Sequence, residues 1–373
     1  MLAAYLLLVG CADPEPEAPP EGEEEVRFSH CEGESEAHRN FDAFWSYFDR
    51  EYALFDLRLP DESWYELGEQ GCNAIDDAIA ADGTITDRAL FDLMVRTAEH
   101  LDDGHVYIDV PRSKMEDDAW VSEYPHYDAL YELEDNVEAN YLDEPEYERA
   151  GWNDFSWGTI GDVGFLSITS MEGLDRDADE SATDQDEHTI DEQAAERAMS
   201  KVMEDLRDAP GIIVDIRANE GGWDTVSLVI AAWFAGSRTV AWSEQVRSGS
   251  EHLDFGPWVE TYVDDARAGA YEGPVVLLTS GGTFSAAEVF VLAMRVRDEV
   301  TVLGERTSGH FSDQLGEKLP NGWAVDLSNE RYRAADGIIY EVEGAPVDIE
   351  VALDVDALAQ GRDTMLEAAL EAL

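Results

Sequence analysis

After residue 157 the chain alternates short apolar runs with helical segments, and that alternation restricts the fold more than any other feature it carries. Val163 to Ile168 reads as a strand, Glu192 to Leu206 as a helix, and Gly211-Ile212-Ile213-Val214-Asp215-Ile216 as a second strand. A helix over Thr225 to Phe234, a strand over Val275 to Leu278, a helix over Ala286 to Arg295 and a strand over Val300 to Leu303 follow. Strands separated by helices are joined by crossovers rather than hairpins, so residues 158–373 are expected to form an α/β core with a largely parallel sheet.

The part before this core has a different period. Phe41, Phe44, Trp45 and Phe48 recur at i, i+3, i+4 and i+7, which puts four aromatic rings on one face of a helix. A second helix is expected near Trp64 to Ala80, and a third from Asp87, read as its N-cap, to Leu101. Together, residues 37–110 read as an N-terminal helical cap domain, ending at Asp102-Asp103-Gly104 and a strand with Val106, Ile108 and Val110. Residues 111–157, acidic and aromatic without a period, form a connecting segment.

Charge excludes some functions. The 84 Asp+Glu against 24 Lys+Arg leave a formal charge of −60, which rules out a nucleic-acid partner held through phosphates. With 44% hydrophobic residues the chain still fills a core. Its acids are spread along the whole length, a pattern suited to high salt or an extracytoplasmic setting. Asp175, Asp177 and Asp179 alternate as in a calcium loop, but Glu180 stands where such a loop wants glycine, so a solvated loop is expected. No zinc spacing and no P-loop occur, so no metal is expected.

Met1 to Gly10 is an apolar run too short to span a bilayer, followed by Cys11 and a Pro- and Glu-rich stretch. Leu8-Val9-Gly10-Cys11 resembles the lipobox of bacterial lipoproteins, although the usual basic start is missing. The resemblance implies residues 1–10 as a lipoprotein signal peptide, Cys11 as lipid anchor, 11–36 as an acidic tether, and an extracytoplasmic, cell-envelope location with the membrane touched only through the lipid. Cys31 and Cys72 either pair, closing a loop over the first helix, or remain separate buried thiols.

Three features could do chemistry. Ser285 lies between the strand ending in Ser280-Gly281-Gly282-Thr283 and the helix beginning at Ala286, where a hydroxyl is exposed and helix N–H groups face a developing oxyanion. The same residue with Glu288 also makes an S-x-x-E capping box, which needs no catalysis. Gly221-Gly222 closes the apolar strand at the end where open α/β sheets place their sites, or is simply a turn. His105 has the pKa of a general base near neutrality, though a lone loop histidine usually faces solvent.

In their order these segments resemble the tail-specific serine protease family, which includes carboxyl-terminal processing proteases, the tricorn core protease and the repeats of interphotoreceptor retinoid-binding protein. The resemblance runs over roughly residues 40 to 370, through Leu101 to His105, Gly161 to Leu166, Asp215 to Gly222, Thr283 to Glu288, Gly304 to Gly309 and Asp363 to Ala369. It implies a ClpP/crotonase-like spiral core, no cofactor, and peptides or unfolded protein as substrate. The lysine that processing proteases place after Thr-x-Gly is His310 here, after Thr307-Ser308-Gly309. The resemblance is therefore to the tricorn-like branch, and residues 111–157 are too few for a PDZ module. That branch implies a Ser285, His105, Glu341 relay, with Glu343 as the second choice of acid, and an oxyanion hole from Ala286 with Gly221 or Gly222. Gly104 replaces the serine that precedes the histidine in that branch, and His310 is the alternative base. The competing function is a non-catalytic binding protein for apolar ligands or peptides on the same fold.

The charge makes a prediction of its own. Self-repulsion weakens the fold at low ionic strength, so the thermal midpoint should rise between low and molar salt; a flat profile would contradict this.

Overall fold

The computed structural model describes residues 28–60, 63–111, 119–120, 129–130, 132–143, 148–150, 154–175, 184–234 and 236–373. The expected signal peptide, Cys11, and Asp177 and Asp179 lie outside the described residues.

Helices α1 (Glu36–Glu51), α2 (Phe55–Arg58), α3 (Trp64–Asp82) and α4 (Asp87–Glu99) build the cap. Phe41, Phe44, Trp45 and Phe48 are all buried, as their spacing requires. Trp45 and Trp64 lock α1 to α3, each indole N–H donating to the other residue's carbonyl at 2.9 and 3.2 Å. The N-cap of α4 is Thr86 and not Asp87: the threonine oxygen accepts from Ala89 N–H at 3.2 Å, and Asp87 takes the first helical position, where a carboxylate suits the helix dipole. Cys31 and Cys72 form a disulfide with a Cα–Cα distance of 5.4 Å. The end of the segment read as a tether is thereby pinned to α3.

The cap does not close on itself. Strand β1 (Tyr107–Asp109) pairs with β2 (Ala119–Trp120) on one side and with β12 (Ala324–Ser328) on the other, and β12 carries β11 (Gln314–Lys318) at the edge. This sheet returns Leu319, Trp323, Val325 and Leu327 from more than 200 residues away in sequence into the aromatic core of the cap. A helix face that is aromatic on four successive turn positions needs a partner surface, and α1 finds part of it there.

The second core surrounds a sheet of seven strands in the order β14 (Ile349–Glu350), β10 (Val300–Gly304), β9 (Val275–Thr279), β6 (Ile212–Asp215), β5 (Val163–Ile168), β4 (Phe155–Ile160), β3 (Glu148–Ala150). From β5 to β14 every pairing is parallel, and β4 and β3 add an antiparallel edge. Helices α6 (Asp184–Leu206), α7 (Asp224–Ala231) and α8 (Ala286–Met294) contribute to the hydrophobic core on one face. On the other face lie Val137 of α5 (Leu133–Asn140) and Met365, Leu366 and Ala369 of α10 (Thr364–Ala372). The short α9 (Val355–Leu358) precedes α10, and β13 (Glu330–Ala334), β7 (Thr239–Val246) and β8 (Val259–Val263) form a third sheet. Because Asp215 of β6 lies beside Leu278 of β9, the loops leaving both strands emerge at the same edge. Among the described residues no helix is long and apolar enough to cross a membrane.

The disulfide joins positions 41 residues apart. Loop-closure entropy then assigns it about 4 kcal/mol. Reduction, or Cys31→Ser with Cys72→Ser, should lower the unfolding free energy by an amount of that order in a denaturant titration.

Candidate active site

Ser285 starts α8 with φ 55° and ψ −126°. An N-cap is ordinarily extended, so capping alone does not explain this backbone; the left-handed region is costly for a residue with a Cβ. The capping box is nonetheless present, and Ser285 N–H donates to Glu288 Oε2 at 3.3 Å. The cap is therefore made, but by a residue whose backbone goes beyond what capping asks. The turn before it is tied to the neighbouring strand end: Ser280 Oγ donates to the Arg217 carbonyl at 2.6 Å, Thr283 Oγ1 to that of Ile216 at 3.0 Å, and Phe284 N–H to that of Asn219 at 3.0 Å.

Gly221 and Gly222, with φ of 104° and 129°, run past this turn. A Cβ on Gly221 would stand 2.7 Å from the Cβ of Ser285, so only glycine allows the approach. The two are not equivalent as donors. Gly221 N–H is committed to Asn219 Oδ1 at 2.8 Å, whereas the N–H groups of Gly222 and Ala286 have no partner among the described residues. The expected pair of alternatives therefore narrows to Gly222.

Glu288 does more than cap. Its fully buried carboxylate accepts from Thr307 Oγ1 at 2.5 Å, Gly309 N–H at 2.7 Å and His310 N–H at 2.7 Å, besides Ser285 N–H. Burial pushes its pKa up to about 8, against the pull of these hydrogen bonds. The 307–310 loop is thus fastened to the first turn of α8.

His105 comes from the cap side. Its N–H donates to Asp103 Oδ1 at 2.9 Å, its carbonyl accepts from Gln314 Nε2 at 2.9 Å, and its ring packs 4.5 Å from that of Phe284. His310 lies 6.1 Å from it, ring to ring, with Nδ1 2.9 Å from Ser308 Oγ. Both histidines are held neutral: burial lowers His105 to about 4 against the attraction of Asp103, and burial with the Arg58 charge lowers His310 to about 3. No hydrogen bond joins either ring to Ser285, and His105 Nδ1 is buried without a partner.

Glu341 is not the partner of His105 in this structure. Its Oε1 accepts from Arg58 Nε at 3.0 Å and from Nη2 at 2.5 Å, and its Oε2 accepts from Phe311 N–H at 3.0 Å. A buried carboxylate goes to the strongest charge in reach, and here that is a guanidinium. Asp103, fully buried, holds the His105 backbone N–H and not its ring, though its charge favours the protonated imidazole; it also accepts from Tyr52 Oη at 2.8 Å and lies 3.8 Å from Arg58 Nε. Burial would raise Asp103, but Arg58 and the histidines hold it low; burial raises Glu341 despite Arg58. Glu343, the second choice for the acid, is exposed.

Among the described residues, three non-glycine positions have positive φ: Asp102, Ser285 and Val342. They sit at the histidine loop, at the serine and beside Glu341. A cavity of about 290 Å³ opens along the same edge, lined by Phe165, Ser167, Ala218 and Glu220 among others. Arg217 is bound on both sides, to Asp215 at 2.6 Å and to Asp363 at 2.7 Å, and so joins the strand before Gly221 to α10. Asp175, the described member of the alternating aspartates, pairs with Arg197 at 2.8 Å.

Arg58, Asp103 and the wider reach of Glu288 escaped sequence reasoning. The available signal was weak: Arg58 stands in Tyr52-Ala53-Leu54-Phe55-Asp56-Leu57-Arg58-Leu59, a mostly apolar stretch in which a charge must find a buried partner.

Residues 162–351, just over half of the chain, match the model described as Peptidase family S41. The carboxy-terminal processing protease CtpA of Bacillus subtilis (strain 168) is 26% identical over 129 residues, 35% of this chain and 26% of that protein. The carboxyl-terminal-processing protease of Synechocystis is 27% identical over 124 residues, 33% and 27% of the two chains. The match thus spans about a quarter of the length of these curated relatives. A structure solved as a candidate peptidase from Parabacteroides merdae ATCC 43184 is 25% identical with a TM-score of 0.71, covering 91% of this chain and 96% of that one.

The buried neutral histidines link stability to pH. A folded pKa of about 4 for His105 and about 3 for His310 lies below the unfolded value of 6.5, so their contribution is complete above 6.5 and is lost as pH falls toward 3. Unfolding free energies of His105→Gln and His310→Gln should fall less steeply than wild type over that window; parallel curves would refute the linkage.

Proposed function

The chain belongs to peptidase family S41, and from that premise we propose that it is a serine endopeptidase that cleaves peptides or unfolded protein through an acyl-enzyme on Ser285. One observation carries the reading: the strained backbone of Ser285 at the start of α8, in contact with Gly221, beside the N–H groups of Gly222 and Ala286, which have no partner among the described residues. A cap needs no such conformation. A nucleophile does, because it must project its hydroxyl toward two amide donors at once.

In the proposed reaction Ser285 Oγ attacks the peptide carbonyl carbon while His105 takes its proton. The oxyanion lies between the Gly222 and Ala286 N–H groups, each worth about 3 kcal/mol in the transition state. His105 then protonates the leaving amine, and water, deprotonated by the same ring, hydrolyses the acyl-enzyme. Base and serine are not yet hydrogen-bonded in this structure; such contacts often close only in the substrate complex. The negative charge that steadies the ring is assigned to Asp103, with Glu341 acting behind it across Arg58, in place of a direct Glu341 contact.

A lipid anchor on Cys11 and an extracytoplasmic location complete the proposal. The Cys31–Cys72 disulfide is consistent with it, since such bonds persist in oxidising compartments. Globomycin should block processing before Cys11, and processing that continues in its presence would remove the anchor.

For the chemistry, hydrolysis of fluorophore-labelled casein should fall by at least about 10³-fold in Ser285→Ala and by about 10²-fold or more in His105→Ala. A wild-type rate unchanged by Ser285→Ala would leave a binding protein on this fold as the answer. Loss with His310→Ala but not with His105→Ala would move the base to His310.

A further inference from the structure

Arg58 is the cation through which the cap reaches the site. Its side chain is 3% exposed, and its donors are distributed over three separate segments. Nε and Nη2 hold Glu341, Nη1 donates to the carbonyl of Asp102, and Nη2 also donates to that of Gly309 at 2.6 Å. Asp102 is one of the strained residues, and the Gly309 carbonyl also accepts from the N–H of another, Val342, at 2.9 Å. A single guanidinium therefore grips the histidine loop, the His310 loop and the Glu341 turn. Strained backbone persists only where its surroundings over-determine it, and this fork supplies part of that constraint.

We propose that Arg58 is a positioning residue for the hydrolytic site: its fork sets His105, His310 and Glu341 in one geometry, so that the base is placed by the cap and not by the core that carries the serine. The proposal rests on the peptidase reading for its consequence in turnover, though the placement itself does not. The planar fork matters as much as the charge, since a lysine ammonium reaches one or two of these acceptors and cannot span all of them.

The charge has a separate effect. The titratable groups facing Arg58 are Tyr52, Asp103 and Glu341, with His105 and His310 within its field and Glu288 beyond Glu341. Without the cation, this cluster of two carboxylates and two imidazoles takes up its first proton at a higher pH. That proton disables the site wherever it sits, on the base or on the carboxylate that steadies it.

The test compares the full chain with Arg58→Lys and Arg58→Met on labelled casein across pH, alongside histidine ring-proton NMR on the same proteins without substrate. Arg58→Lys should lose about 10-fold in kcat with KM nearly unchanged and keep the acid limb of kcat/KM in place. Arg58→Met should lose about 100-fold and move the acid limb, and the onset of ring-proton titration, to higher pH. Should the methionine variant fail to fold, the lysine variant decides alone. Wild-type kcat in Arg58→Lys, or an unmoved limb and titration in Arg58→Met, would overturn the proposal. If Ser285→Ala leaves hydrolysis untouched, it is the peptidase reading that fails, and the substrate-free titration then judges the placement by Arg58 on its own.

Discussion

The carboxylate of Glu288 is the point on which the site's geometry turns. It sits one helical turn into α8, fully buried, and gathers the N–H groups of Ser285, Gly309 and His310 with the hydroxyl of Thr307. Each of these donors is buried or half-buried and would cost about 1–3 kcal/mol if left unmade. Satisfying them on a single side chain forces the 307–310 loop to lie against the Ser285 turn. The adjacent Thr283 carbonyl, accepting from Ser308 N–H at 2.9 Å, repeats the same connection from the other side.

Two guanidiniums extend this arrangement outward. Arg217 binds Asp215 and Asp363, fixing the strand end before Gly221 to α10 at the chain's close. Arg58 binds Glu341 and faces Asp103, fixing the cap to the histidine loop. Buried pairs of this kind add little stability over apolar packing, yet removing one partner costs about 3–5 kcal/mol because the other is stranded. In a chain of formal charge −60, cations are scarce, and two of the 24 are spent in the interior between carboxylates. The return is orientation, since a fork with fixed donors defines where its acceptors stand.

Much of this was legible beforehand where a segment's own composition decides its state. The strand Val163–Ile168 falls at the positions its apolar run implies, and α8 and β9 agree within a residue at their ends. Ser285, His105 and the double glycine stand in unusual local settings, and the structure brings the segments bearing them to one edge. The errors share a cause. Thr86 displaced Asp87 as cap because two adjacent residues could each serve, and the choice depends on backbone entry angle. The resemblance places Glu341 on His105 because both segments carry motifs, while Arg58, which holds that carboxylate in the structure, carries none. Gly221 and Gly222 could not be ranked until Asn219 was seen to occupy one of their N–H groups.

Sequence by itself determined the cap helices and the strands and helices of the parallel sheet, though not the β7, β8 and β13 sheet or the β11–β12 pair: periodicity separates the aromatic cap from the strand-helix core, and glycine and serine mark the turns, because these are properties of a few neighbouring residues. Tertiary structure decided the partners. Which carboxylate faces a histidine, which amide stays free and which arginine enters the site depend on groups up to 283 residues apart, as Arg58 and Glu341 are. Hydrogen bonds and ion pairs at that separation leave no periodic trace in the chain; they exist only once burial has removed water as the competing partner.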